Sequence, residues 1–143
     1  MSTFFIIDTN VLVAGLLTSH ADLPVAQILD GMLGAAFMFV LSEALLTEYR
    51  AVLVRPRLCK LHGLSKAEID VVLMDIARHA VVLTPLRSAA TSPVPDAGDQ
   101  LLWDLLASRG DLVLVTGGKL VLQDEAMRER KILPQTFATQ LRY

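Results

Sequence analysis

Phe4-Phe5-Ile6-Ile7-Asp8-Thr9-Asn10, followed by Val11-Leu12-Val13, is the stretch whose reading decides the fold. Four β-branched or aromatic residues in a row predict a first strand over Phe4–Ile7. Asp8, Thr9 and Asn10 interrupt the apolar run with residue types that favour caps and turns, and a helix is predicted over 11–17. A strand covered on both faces reads as an unbroken apolar run rather than an alternating one. The opening therefore points to a parallel sheet with helices on both sides.

Working outward, the pattern recurs. Residues 24–33 are predicted helical with Pro24 at the start, and 37–41 a second buried strand. Ser42 caps a helix over 43–54, which Arg55-Pro56-Arg57 should end, because proline disfavours the α region in the residue before it. Ser65 and Glu68 form a capping box that opens a helix running to His79. A third strand is expected at 81–83, then a proline-containing loop over 84–95. A helix over 98–108 stops near Gly110, and Leu112 to Val115 form a fourth strand before the turn Thr116-Gly117-Gly118. A helix over 123–130, an edge strand at 132–133 and a helix over 134–141 complete the chain. Strands alternating with helices predict a three-layer α/β/α sandwich around a central, mainly parallel sheet. No repeat or linker divides the chain, so residues 1–143 are expected to form one domain.

Composition narrows the functions. The net charge is −2, which supplies no basic field for coating DNA. Hydrophobic residues make up 53% of the chain, yet runs such as 35–41 and 80–83 are far too short to cross a bilayer. Part of the apolar surplus is expected at a subunit interface, in a two-fold homodimer. The start lacks a charged leader region and its apolar run is broken by Asp8, so no secretory signal is read and a cytoplasmic location is expected. The single Cys59 excludes an intrachain disulfide and a cysteine-built metal cage.

The acids carry the chemistry. In open parallel sheets functional groups gather at the carboxyl ends of strands. Asp8 follows strand one directly; its alternative role is a helix cap, but its place at the end of an apolar strand favours a functional one. Thr9 and Asn10 are expected to hold this loop by bonding to backbone groups. Glu48 lies three residues from Leu45 and four from Val52, beside the apolar face of its helix. Glu43 is better explained as a first-turn charge complementing the helix dipole. Asp96 and Asp99 flank the start of the helix before strand four, where either a dipole role or a place in the site is open.

Together these residues resemble the PIN domain family, in particular the toxin components of toxin–antitoxin pairs. The resemblance covers nearly the whole chain. It rests on Phe5-Ile6-Ile7-Asp8-Thr9-Asn10-Val11-Leu12-Val13, on Leu41-Ser42-Glu43-Ala44-Leu45-Leu46-Thr47-Glu48-Tyr49, on Arg55-Pro56-Arg57, on Pro95 to Asp99, and on Val113-Leu114-Val115-Thr116-Gly117. It implies a divalent-metal-dependent endoribonuclease, with RNA as substrate and an antitoxin protein as partner. Asp8, Glu48 and Asp99 would be catalytic, metal-binding acids for Mg²⁺ or Mn²⁺, helped by Asp96. Asn10 and Thr116 would support the site. One departure stands out: the family commonly reads Thr-Gly-Asp after strand four, and here the third position is Gly118. Three acids still suffice for one Mg²⁺, which keeps waters and uses few protein carboxylates. Loss of the fourth weakens a second metal site first, and the alternative is an inactive PIN module that binds RNA or a protein.

Rival chemistries find less support. An aspartyl-nucleophile phosphohydrolase wants a second acid two residues after the first, and that position is Asn10. His20, His62 and His79 have no metal-ligand spacing, and no phosphate-binding glycine loop or nucleophile elbow occurs. Arg50, Arg55, Arg57 and Lys60 form a basic cluster after Glu48, suited to RNA phosphates if it borders the acids.

Overall fold

The computed structural model describes residues 3–84, 100–117 and 130–141. Strand β1 (Phe4–Ile7) leads into helices α1 (Thr9–Leu17) and α2 (Pro24–Leu33). Strand β2 (Val40–Leu41) is followed by α3 (Glu43–Leu53), α4 (Pro56–His62) and α5 (Lys66–His79). Then come β3 (Val81–Val82), α6 (Gln100–Ser108), β4 (Leu112–Val115), β5 (Lys131–Ile132) and α7 (Pro134–Leu141).

Among the described residues all strand pairings are parallel. β1 pairs with β4 from Phe4↔Leu112 to Ile7↔Val115, and β4 pairs with β5 through Leu114↔Lys131 and Val115↔Ile132. β2 pairs with β3, and the Phe5↔Phe39 bridge joins this pair to β1. The order across the sheet is therefore β3-β2-β1-β4-β5. From β1 the chain builds outward through β2 and β3, then returns to place β4 on the other flank of β1. The reversal makes the carboxyl ends of β1 and β4 the topological switch point, where a crevice opens in such sheets.

Successive strand residues point to opposite faces, and the neighbours Ile6 and Ile7 are both fully buried, as are Leu114 and Val115. Both faces are thus covered, which is the three-layer α/β/α arrangement the unbroken apolar runs imply. Gly15 permits the close packing of α1 on α2, since a Cβ there would sit 2.7 Å from the Val25 carbonyl oxygen. Phe5, Phe37, Phe39 and Phe137 pack ring against ring where α7 closes over the sheet.

Several boundaries differ from the sequence reading, each for a local reason. Helix α1 begins at Thr9, because Asp8 is already extended and its carbonyl accepts the first helical bonds from Val11 and Leu12. The second strand is only Val40–Leu41, reached after the single bridge at Phe39. Arg55-Pro56-Arg57 ends α3 as expected but also starts α4: Arg55 is extended, and Pro56 has the preset φ of a first helical position. Gly63, at φ +70°, closes α4 in the left-handed conformation that glycine adopts without penalty. The edge strand is Lys131–Ile132 rather than 132–133. The capping box at Ser65 and Glu68 forms in full, and α5 ends at His79 as read. Asp96, Asp99, Gly118 and the helix expected before Arg130 lie outside the described residues.

Candidate active site

Asp8 occupies the N-cap position of α1 by backbone geometry, yet its side chain makes no capping bond. Its carboxylate instead accepts a hydrogen bond from the Thr116 hydroxyl, 2.6 Å from Oγ1 to Oδ2. Thr116 follows β4 and is wholly buried; its own N–H donates to Ile132 of β5. Asp8 N–H in turn donates to Val115. The Asp8–Thr116 pair therefore bridges β1 and β4 across the switch point. The helix-cap alternative for Asp8 is answered by where its oxygens go.

Glu48 reaches the same place from α3. The buried stripe of that helix is Leu45, Tyr49 and Leu53, and Glu48 sits half-buried beside it. The Thr9 hydroxyl donates to Glu48 Oε2. This corrects the expectation that Thr9 would bond to backbone: the hydroxyl adjoining Asp8 ties the loop to the second acid. Because Thr9 follows Asp8 directly, this bond ties Glu48 to the loop that carries Asp8. Glu43 stays exposed in the first turn of α3, consistent with its dipole role.

Tyr49 is the residue that sequence reasoning missed. It is fully buried, and its hydroxyl donates to the carbonyl of Ile7, the residue before Asp8. Burial, then the negative charge of Asp8, then that of Glu48 push its phenol well above the ordinary range. The available signal was the four-residue spacing Leu45-Tyr49-Leu53, which marks an inward stripe and puts a polar tip in the core.

The remaining expected residues divide. Asn10 is exposed in the first turn of α1 and makes no side-chain hydrogen bond among the described residues. Arg50 leaves the basic cluster to pair with Asp70 of α5, at 2.7 Å on an exposed surface. Arg55, Arg57 and Lys60 remain exposed along α4, which packs against α1 and α3. A cleft of about 640 Å³ opens at the carboxyl ends of β2 and β3, beside the start of α3. Ser42, Ala44, Thr47, Leu83, Leu101 and Asp104 are among its walls.

The donor set suits a hard divalent cation. It consists of carboxylate oxygens, the ligand type that hard divalent ions take. Among the described residues the acids here are two, and no group of three or more His, Cys, Asp or Glu forms a metal-binding set. Two carboxylates plus water and phosphate oxygens are an ordinary complement for Mg²⁺.

These features define a doubly wound parallel α/β protein with a carboxylate pair at its switch point. A family model described as PIN domain matches residues 5–119, and the chain belongs to the PIN domain family. PIN domains are typically nucleases and generally use divalent metal ions. No curated protein and no solved structure matches the chain significantly. No helix among the described residues is long and apolar enough to cross a membrane.

Proposed function

We propose that the chain is a divalent-metal-dependent endoribonuclease, with Asp8, Glu48 and Asp99 as the metal-binding acids and Asp96 assisting. The observation that carries this reading is the joint placement of Asp8 and Glu48, each held by a threonine hydroxyl, at the carboxyl end of β1. Asp8, Glu48 and Asp99 would hold Mg²⁺ or Mn²⁺, which would supply Lewis-acid activation of water and charge neutralisation at the phosphate. The chain's own residues do the rest. Thr116 and Thr9 each occupy one oxygen of their carboxylate and fix its orientation. The buried floor beneath them keeps bulk water from one side. The cleft beside α3 gives a single RNA strand room along the same sheet edge, and Arg55, Arg57 and Lys60 offer cations to its phosphates.

The toxin of a toxin–antitoxin pair is the role we assign, in the cytoplasm, with an antitoxin protein as partner. Self-association into a homodimer belongs to the same reading and is supported by the exposed apolar side chains Leu61, Val71 and Met74. The test is cleavage of a mixed single-stranded RNA by wild type and Asp8→Asn in Mn²⁺ and in EDTA. Mn²⁺-dependent internal cuts by the wild type, absent from the variant, are expected. A folded wild type that cuts nothing while still binding RNA would replace the enzyme by the binding module that Gly118 suggests.

A further inference from the structure

We propose that Tyr49 is a positioning residue of the metal centre, setting the rotation of α3 that presents Glu48 to Asp8; this rests on the metal-dependent reading above. The argument begins at β1. Phe5 donates its N–H to Met38 at 3.0 Å, so the β2 side of β1 receives the backbone groups of Phe5 and, two residues on, of Ile7. Among the described residues the Phe5↔Phe39 bridge alone links these strands, and the chain turns into α3 directly after Leu41. The Ile7 carbonyl lies beyond that bridge, and the Tyr49 hydroxyl, about 10 Å along α3 from Ser42, takes it. A side chain thus supplies the bond that a longer strand would have made.

That bond controls the metal site because of sequence adjacency. Tyr49 follows Glu48, and Ile7 precedes Asp8. One hydrogen bond therefore joins the backbone next to one acid with the side chain next to the other. The rest of the α3 stripe, Leu45 and Leu53, is apolar, and dispersion contacts are non-directional. They bury that face of the helix but make no directional bond to β1. The hydroxyl bond is directional and buried, so it selects one rotation.

Tyr49→Phe keeps the ring and removes the bond. Mn²⁺ affinity, measured by calorimetry on the folded protein, should weaken about tenfold, as loss of an orienting partner does at metal sites. Leu53→Ala, on the same stripe but without a bond to β1, should lower the melting temperature and leave Mn²⁺ affinity within about twofold of wild type. Equal affinity in wild type and Tyr49→Phe overturns the positioning role, as does an equal loss in Leu53→Ala. A second measurement needs no change at Tyr49: fluorotyrosine incorporated in Tyr143→Phe gives a single fluorine resonance, from Tyr49. Saturation with Mg²⁺ should shift it, and an unmoved resonance overturns the proposal. If the wild type binds no Mn²⁺ at all, the metal-dependent reading itself falls, a result distinct from tight binding that ignores Tyr49.

Discussion

Replacing Glu48 by glutamine separates charge from shape at this site. The amide retains an oxygen for the Thr9 hydroxyl, and the half-buried place on α3 stays filled. What disappears is one of the two negative charges that press on Tyr49. Without metal, two effects oppose each other. Relief of repulsion from Asp8, screened by the half-exposed setting, stabilises by on the order of 1 kcal/mol. Exchanging a charge-assisted hydrogen bond for a neutral one costs about 1 kcal/mol. The metal-free variant should therefore unfold within about 1 kcal/mol of wild type. With Mn²⁺ the cancellation ends. A ligand that binds only the folded state at a hundred times its Kd stabilises it by about 2.7 kcal/mol. If loss of the anionic ligand weakens Mn²⁺ a hundredfold, the same concentration contributes only about 0.4 kcal/mol. The assay is urea unfolding of both proteins in EDTA and in Mn²⁺ at a hundred times the wild-type Kd. A gap of about 2 kcal/mol that opens only with Mn²⁺ is expected. Equal Mn²⁺ stabilisation of the two proteins would refute Glu48 as a ligand, and a large loss already present in EDTA would make its charge a structural one.

Three further outcomes follow from other parts of the molecule. Ser65→Ala removes the N-cap of α5 and should cost about 1 kcal/mol at neutral pH. Bonds from the Ser65 backbone N–H and then its hydroxyl hold the Glu68 carboxyl below its ordinary range, so that stabilisation is present above the usual glutamate pKa and lost as pH falls through the lowered one. Ser65→Ala keeps the backbone N–H bond and loses only the hydroxyl's share, so the gap between the urea midpoints of wild type and variant should narrow slightly on acidification and not close. Arg57→Ala on exposed α4 should weaken RNA binding for all sequences alike and reduce the salt slope by about one, read from filter binding across a salt series. Gly118→Asp restores the acid the family commonly carries after strand four and should raise Mn²⁺-dependent cleavage. Unchanged metal affinity and cleavage in that variant would argue against a weakened second metal site.

The linear order of residues was enough for the α/β class, the strands β1 and β4, the helices α2 and α7, and the capping box. Each depends on neighbours: an unbroken apolar run signals burial on both faces, and Ser65 meets Glu68 within one turn. Asp8 was legible as an acid at a strand end for the same reason, because its carboxylate ends a run that would otherwise continue into the core. Helix α4 was not, since a proline that ends one helix is equally suited to start the next, and only the placement of the following residues decides between them. Nor were the partners of the acids. Thr9 and Glu48 are 39 residues apart, Tyr49 and Ile7 42, and Asp8 and Thr116 108. No local periodicity relates positions so distant. They meet because the chain reverses its strand order at β1, bringing the ends of β1 and β4 side by side. At that point the rotation of α3 decides whether a glutamate beside an apolar stripe faces solvent or a second carboxylate. Sequence supplied the residue types and the strand end at which they collect; tertiary packing decided which hydroxyl holds which acid, because directional bonds between remote residues form only once the layers have closed.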